Sequence, residues 1–241
     1  LAAVFSAIVL ATGPTVVTPI VKQIRIAHPL GDVLEAEGLV LEPIGAVLAL
    51  LLLELALGDL HGWREVAQGL LARLGGGVLI GVTVGWLLSE GLRRLTSSQA
   101  VGLRLQLTLG ALFLMFGIAE WLLPESGLPA SVAAGVVVGR RSTEEAGQLD
   151  ELIRELASLA ITMLFPLLAA DVSWAELSPL GWGGVSCVLL LMFVVRPVAV
   201  SVATVGLPLV WRQKLFIAWL APRGIVTAAV ASLFAIRLEQ A

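Results

Sequence analysis

The sequence predicts an all-α, polytopic membrane protein with about eight spanning segments, some of them broken. Hydrophobic residues make up 58% of the 241 residues and charged residues only 14%, whereas soluble domains contain about 25% charged residues. Most charges lie in short gaps between apolar runs of about 20 residues, the length that crosses the hydrocarbon as a helix. The composition therefore predicts that the protein lies in a lipid bilayer. The bilayer is also its first predicted partner.

Hydropathy divides the chain into successive apolar segments. They cover residues 1–25 with an interruption at 11–14, then 30–57, 74–92, 102–123, 128–139, 148–170, 180–205 and 212–236. Residues 60–73 mix charged and apolar side chains, which predicts an amphipathic helix in the membrane interface. Lys and Arg collect in alternate loops, so we expect 22–30, 93–104, 140–150 and 206–214 on the cytoplasmic side.

Several classes of protein are excluded or disfavoured by residue counts. The only cysteine, Cys187, lies in an apolar run and is interpreted as a small core residue, so disulfides and cysteine metal sites are excluded. The sequence has no basic patch that would indicate binding to nucleic acid. Both histidines lie in loops and no nucleophile and base are arranged for catalysis, so we expect neither an enzyme nor a cofactor. Both ends lie in or beside apolar segments, which suggests a fragment of a longer protein.

Two apolar segments contain helix-breaking residues. Gly13, Pro14 and Thr15 interrupt the first segment, and Pro222 and Gly224 interrupt the last. Proline removes an intrahelical hydrogen bond and frees a carbonyl, which is tolerated at membrane depth only against protein or water. A pair of broken segments in the two halves of a transporter indicates an ion site near the midplane. Ordinary proline kinks remain the alternative for either break.

Two glutamates in the segment 30–57 are the candidate ion and proton ligands. Glu42 lies roughly 4–5 Å from the middle of that segment, and Glu37 lies about 7 Å further toward the cytoplasmic side, at 1.5 Å per residue. A carboxyl group at this depth costs about 2.5–3.5 kcal/mol or more, which favours a function. A protonated carboxyl hydrogen-bonded within the bundle is the structural alternative for Glu42. Desolvation disfavours its charge, so one carboxylate can exchange a proton for a hard monovalent cation.

Arg223 is the candidate counter-charge, because it lies near the centre of the last segment and needs a carboxylate there. We expect it to pair with Glu37, which leaves Glu42 free to titrate. For Arg196, both snorkelling and a structural ion pair are open interpretations. Glu54 is expected at a solvated helix end, and Glu120 is expected to have a structural role.

Three motifs in order resemble the NhaP/NHE type of monovalent cation/proton antiporter. They are ATGPTVV at residues 11–17, which is similar to the family's Ala-Thr-Asp-Pro stretch, EGLVLE at 37–42, which is similar to Glu-Ser-Leu-Leu-Asn-Asp, and WLAPRG at 219–224, which is similar to Trp-x-x-x-Arg-Gly. Here Gly13, Gly38 and Leu41 stand where the family has Asp, Ser and Asn, and Glu42 stands for the family's aspartate.

The resemblance implies a role for each matched residue. Glu42 takes the place of the ion-binding aspartate, Glu37 and Arg223 take the places of the stabilising ion pair, and Thr12 lends a backbone carbonyl to the ion. The implied fold is part of the NhaA-like inverted repeat. Residues 1–57 and 180–241 would form an ion-binding bundle, and 58–179 would form the interface of a homodimer.

The expected activity is electroneutral exchange of Na⁺, or K⁺ or Li⁺, for H⁺, in a prokaryotic inner membrane. The only metal expected is the transported cation at Glu42. Two alternatives remain open at this stage. One is a potassium/proton efflux antiporter with a regulatory cytosolic domain, and the other is a transport-inactive homologue with a structural or sensing role.

Overall fold

A computed structural model describes residues 2–11, 13, 30–94, 101–141, 147–171, 178–207, 209–220, 224, 227, 230–232 and 234. All regular secondary structure in this part of the chain is helical. The candidate residues Thr12, Pro14, Thr15, Pro222 and Arg223 lie outside the described residues.

Eight helices are described. In chain order they are α1 (Ala2–Leu10), α2 (Leu30–Leu57), α3 (Trp63–Arg94), α4 (Val101–Leu122), α5 (Gly127–Arg141), α6 (Gly147–Asp171), α7 (Ser178–Ala203) and α8 (Trp211–Trp219). Five of them, α2, α3, α4, α6 and α7, are by length and composition able to cross a membrane. The polytopic all-α class is therefore confirmed for the described part of the chain.

The bounds of α2 are those that hydropathy predicts. Asp32 lies in its first turn, where a negative charge favours the positive end of the helix dipole. The helix ends before Gly58, whose φ of 91° is readily adopted only without a side chain. Pro43 lies inside α2 without ending it, so the carboxylates on either side of this proline share one continuous helix.

Helix α3 packs in parallel against α5 along a stripe of glycines. A Cβ atom added to Gly77 would lie 2.7 Å from the Pro129 ring, and one added to Gly85 would lie 2.9 Å from Ala134 Cα. Small residues at a four-residue spacing let helix backbones approach closely in membranes. The parallel packing brings the arginines at the carboxyl ends of α3 and α5 to one end, as the loop charges predict.

The structural role expected for Glu120 is confirmed. Its carboxylate accepts hydrogen bonds from the backbone N–H groups of Glu125 and Gly127, both at 2.9 Å. These N–H groups lie at the start of α5, where they lack helical acceptors. Glu120 thus fixes the turn between α4 and α5.

Two predictions were wrong. The stretch 60–73 does not form a separate interfacial helix, because α3 continues without interruption from Trp63 to Arg94. The charged residues at its start are the amino-terminal turns of a long helix. Cys187 is exposed rather than part of a core, since α7 has few described neighbours along this face.

Two apolar clusters surround the region of the breaks. The first joins α1, α2 and the described residues after Gly224, through Val4, Leu50, Leu53, Val230 and Phe234. The second joins the start of α2 to α7 and α8. The middle of α2 therefore lies between both broken segments, and this packing positions the site.

Candidate ion-binding site

The carboxyl group of Glu42 is buried in the middle of α2. The residue is 8% exposed, and its Oε1 atom has no hydrogen-bond partner among the described residues. Such an atom needs an explanation, because an unsatisfied buried polar group costs about 1–3 kcal/mol or more. A proton or a bound cation would satisfy it.

The two predicted breaks meet beside this carboxylate. A Cβ atom placed on Gly224 would lie 2.7 Å from the Cα of Gly13 and 2.9 Å from Oε1 of Glu42. A Cβ atom placed on Gly13 would lie 3.2 Å from the same oxygen. We call this close approach of Gly13 and Gly224 the glycine crossing. Only glycine allows it, because any side chain would displace either the other backbone or the carboxylate.

The first break is also attached to its neighbours by Ala11. The Thr227 hydroxyl donates a hydrogen bond of 2.9 Å to the Ala11 carbonyl, which lies 216 positions away in the chain. A Cβ atom on Gly45 would lie 2.8 Å from the Cβ of Ala11, so α2 approaches the break closely. The end of α1 is therefore held between α2 and the last segment.

Glu37 forms an ion pair, and its described partner is Arg196. The guanidinium donates from Nη1 to Oε1 and from Nη2 to Oε2, the second at 2.9 Å. The side chains are only 14% and 20% exposed for Arg196 and Glu37. Of the two interpretations left open for Arg196, the structural pair is the one observed. The predicted pairing of Glu37 with Arg223 lies outside the described residues and stays a prediction.

A π-helical turn precedes Arg196 in α7. Residues Leu191–Val195 form it, and such turns occur often at functional sites because they redirect the following side chain. Arg196 Nη2 also lies 3.5 Å from the Ile217 carbonyl of α8. The guanidinium therefore joins three helices beside Glu37.

Glu54 is not solvated as expected, and this prediction was wrong. Arg73 donates to both of its carboxylate oxygens, at 2.9 and 3.0 Å. The side chains are 13% and 17% exposed, because α3 runs back alongside the end of α2. This bidentate pair joins α2 to α3.

The sequence thus indicated the buried carboxylate and the two breaks, but it did not indicate three of the contacts. A signal for Arg196 existed, because an arginine inside an apolar segment needs a carboxylate. Arg73 lies just before an apolar segment and was assigned to an interfacial helix, so no carboxylate partner was expected for it. Thr227 gave no signal, since a threonine in an apolar helix usually bonds its own backbone.

The arrangement suits exchange of a proton for a cation. Glu37 is charge-balanced by Arg196, whereas Glu42 faces backbone atoms of the glycine crossing and has no described counter-charge. In the described part of the chain, no three His, Cys, Asp or Glu side chains are grouped to hold a metal ion. A single buried carboxylate suits a weakly held monovalent ion better than a divalent ion, which takes about six to eight oxygen ligands as Ca²⁺.

The helices and this site define an integral membrane protein in which two broken segments meet at a buried acidic side chain. Comparison with known families identifies it further. The profile of the sodium/hydrogen exchanger transmembrane family matches residues 1–237. The chain belongs to this family, and the resemblance seen in the three motifs is confirmed.

Proteins with similar sequences and structures are named as Na⁺/H⁺ antiporters. The chain is 26% identical to the probable Na⁺/H⁺ antiporter 2 of Methanocaldococcus jannaschii over 95% of its length, and 25% identical to Na⁺/H⁺ antiporter 1 of that organism over 94%. The structure of the sodium proton antiporter MjNhaP1 from the same organism matches with a TM-score of 0.82 over 98% of the chain, at 24% identity. The antiporter fold is thereby confirmed.

The chain spans only part of these relatives. It covers 56% and 54% of the two curated antiporters and 58% of the MjNhaP1 chain.

Proposed function

We propose that the protein exchanges Na⁺, or K⁺ or Li⁺, for H⁺ across a membrane, with Glu42 as the group that binds either ion. The observation that carries this proposal is the position of the Glu42 carboxylate. It is buried, lacks a described hydrogen-bond partner, and lies at the glycine crossing. The antiporter relatives, which are named for Na⁺/H⁺ exchange, support the same activity.

The chemistry at Glu42 is competition for one carboxylate. Burial removes water from the carboxyl group, so its charged form requires a bound cation and its empty form retains a proton. The charge of Glu37 is balanced within the protein by its ion pair with Arg196. One cation for one proton gives electroneutral exchange.

Several residues complete the proposed site. Thr12 would lend a backbone carbonyl to the cation, and Arg223 would add positive charge near Glu37. Pro14, Thr15 and Pro222 would keep the two breaks open. Each of these roles follows from the match to the three motifs.

The larger assembly is also proposed. Residues 1–57 and 180–241 would form the ion-binding bundle, and residues 58–179 would form the dimer interface. Exchange would occur by movement of the bundle against the dimerisation domain of a homodimer, in a prokaryotic inner membrane. The long continuous α3, which carries Arg73 of the Glu54–Arg73 pair, supports a rigid link between the two parts.

The test is a matched pair of substitutions on α2 in the full-length protein. Glu42→Gln removes the titrating group and is expected to reduce cation-driven proton flux in proteoliposomes to that of empty vesicles. Glu35→Gln removes one carboxylate from the same helix, away from the crossing, and should retain exchange. Robust flux from Glu42→Gln would refute the assignment. Absence of flux from the unmodified protein would instead favour a transport-inactive homologue.

A further inference from the structure

The Thr227 hydroxyl bonds a different part of the chain, unlike the other described threonines. Thr83, Thr108, Thr162 and Thr204 donate to carbonyls of their own helices, three or four residues away. Thr227 donates instead to Ala11, at the end of α1. This hydrogen bond joins residues near the two ends of the described chain. It therefore restricts how the two broken segments pack against each other.

The acceptor is a carbonyl that the break leaves without a helical partner. Helix α1 ends at Leu10, and the Ala11 N–H bonds the Ile8 carbonyl at 3.2 Å. The carbonyls at the end of a helix lack the following turn that would bond them. An unbonded carbonyl at membrane depth is costly, so the Thr227 hydroxyl satisfies a group that the break exposes.

The same contact lies directly beside the glycine crossing. Ala11 is two residues before Gly13, and Thr227 is three residues after Gly224. The crossing has no side chains of its own to hold it, because both of its residues are glycines. Among the described residues, the Thr227–Ala11 hydrogen bond is a polar contact that joins the two broken segments.

We propose that Thr227 is a positioning residue of the ion site, whose hydroxyl holds the first broken segment against the last and so keeps the glycine crossing closed over the Glu42 carboxylate. It acts through Ala11 rather than on the ion. This inference rests on the proposed function only for its consequence on transport. The enclosure of Glu42 by the crossing is a separate, geometric claim. It can be measured without any transport assay.

The transport test compares Thr227→Val, which keeps the shape and removes the hydroxyl, with Thr227→Ser, which keeps the hydroxyl. Loss of one net hydrogen bond should raise the half-saturating Na⁺ concentration by about two- to tenfold, with a smaller change in maximal rate. Thr227→Ser should restore the unmodified value. Thr162→Val is the matched control, because its exposed hydroxyl bonds only the Ser158 carbonyl of its own helix. If Thr227→Val fails to assemble, Thr227→Ala replaces it.

A second measurement follows modification of Glu42 by dicyclohexylcarbodiimide without Na⁺, detected by mass spectrometry of the full-length protein. Opening the crossing should accelerate modification in Thr227→Val, whereas Thr227→Ser and Thr162→Val should react as the unmodified protein does. Unmodified protein that transports nothing would refute the proposed function, and the modification rate would still decide the role of Thr227. Equal rates and equal Na⁺ dependence for Thr227→Val, or equal impairment of Thr227→Ser, would overturn the inference.

Discussion

Glu37 and Glu42 lie five residues apart on α2, and their surroundings differ in charge. Glu37 accepts two hydrogen bonds from Arg196, whereas Glu42 Oε1 accepts none from the described residues. Removing one member of a buried ion pair leaves an uncompensated charge and costs about 3–5 kcal/mol when burial is complete. Glu37 is therefore suited to structure, and Glu42 to binding.

At the residue scale, the glycine crossing gives a steric prediction. Gly224→Ala places a methyl group 2.7 Å from Gly13 Cα and 2.9 Å from Glu42 Oε1. Overpacking of this kind costs about 1–3 kcal/mol, and here the carboxylate or the backbone has to move. We expect the full-length variant to lose about tenfold in exchange rate, the factor that corresponds to 1.4 kcal/mol within that range. Flux into proteoliposomes measures it.

The control is Gly110→Ala in α4, where an added Cβ meets no atom within 4 Å. Gly110→Ala should exchange at the rate of the unmodified protein. If Gly224→Ala did the same, the close crossing would have no part in transport.

The sequence could predict the residues whose roles follow from their immediate neighbours in the chain. The depth of Glu42 follows from its place in an apolar run, and the breaks follow from glycine and proline. The Arg196 partner could not be assigned, because several buried charges were available and sequence does not state which helices touch. Gly13 stands where the family has Asp, and the sequence did not predict that Gly13 would lie directly against Gly224.

At the element scale, the parallel packing of α3 on α5 depends on small residues. Gly81 faces Ala130 so closely that a Cβ atom on it would lie 2.8 Å from the Ala130 carbonyl carbon. Without a strong hydrophobic force between helices in lipid, such close packing supplies much of the association.

Gly81→Ala is therefore expected to destabilise the protein, although alanine favours helices. We expect overpacking of about 1–3 kcal/mol to exceed the helix-propensity gain of about 0.5–1 kcal/mol. Gly75→Ala meets open space on the same helix and should be neutral or slightly stabilising. Thermal unfolding of full-length protein in detergent measures both. A Gly81→Ala variant as stable as Gly75→Ala would show that this contact is loose.

The presence of each helix could be predicted from the sequence, but where a helix continues without a break could not always be predicted. The bounds 30–57 were read from hydropathy, because polar residues and a glycine flank α2. The separate interfacial helix at 60–73 was wrong, since charged residues near the start of α3 do not interrupt its backbone hydrogen bonds. A charged turn lowers hydropathy without ending a helix.

At the scale of the whole molecule, two ion pairs connect the site to the rest of the described chain. Glu37 with Arg196 joins α2 to α7, and Glu54 with Arg73 joins α2 to α3. Helix α2 is thus anchored at both ends of the segment that carries Glu42.

The order of the segments and the parallel ends of α3 and α5 were predictable from apolar runs and loop charges. The packing around Glu42 was only partly predictable, because it brings together residues such as Ala11 and Thr227 from opposite ends of the chain. Long-range contacts of this kind depend on the whole fold and leave no periodic pattern in the sequence.

The central claim is that one carboxyl group binds either a cation or a proton, and proton release measures it most directly. Na⁺ is added to purified, weakly buffered full-length protein in detergent, and the released protons are counted. We expect saturable release approaching a single proton per chain, absent from Glu42→Gln and retained by Glu35→Gln. Release that persists undiminished in Glu42→Gln, or Na⁺ binding that releases no proton, would contradict the account.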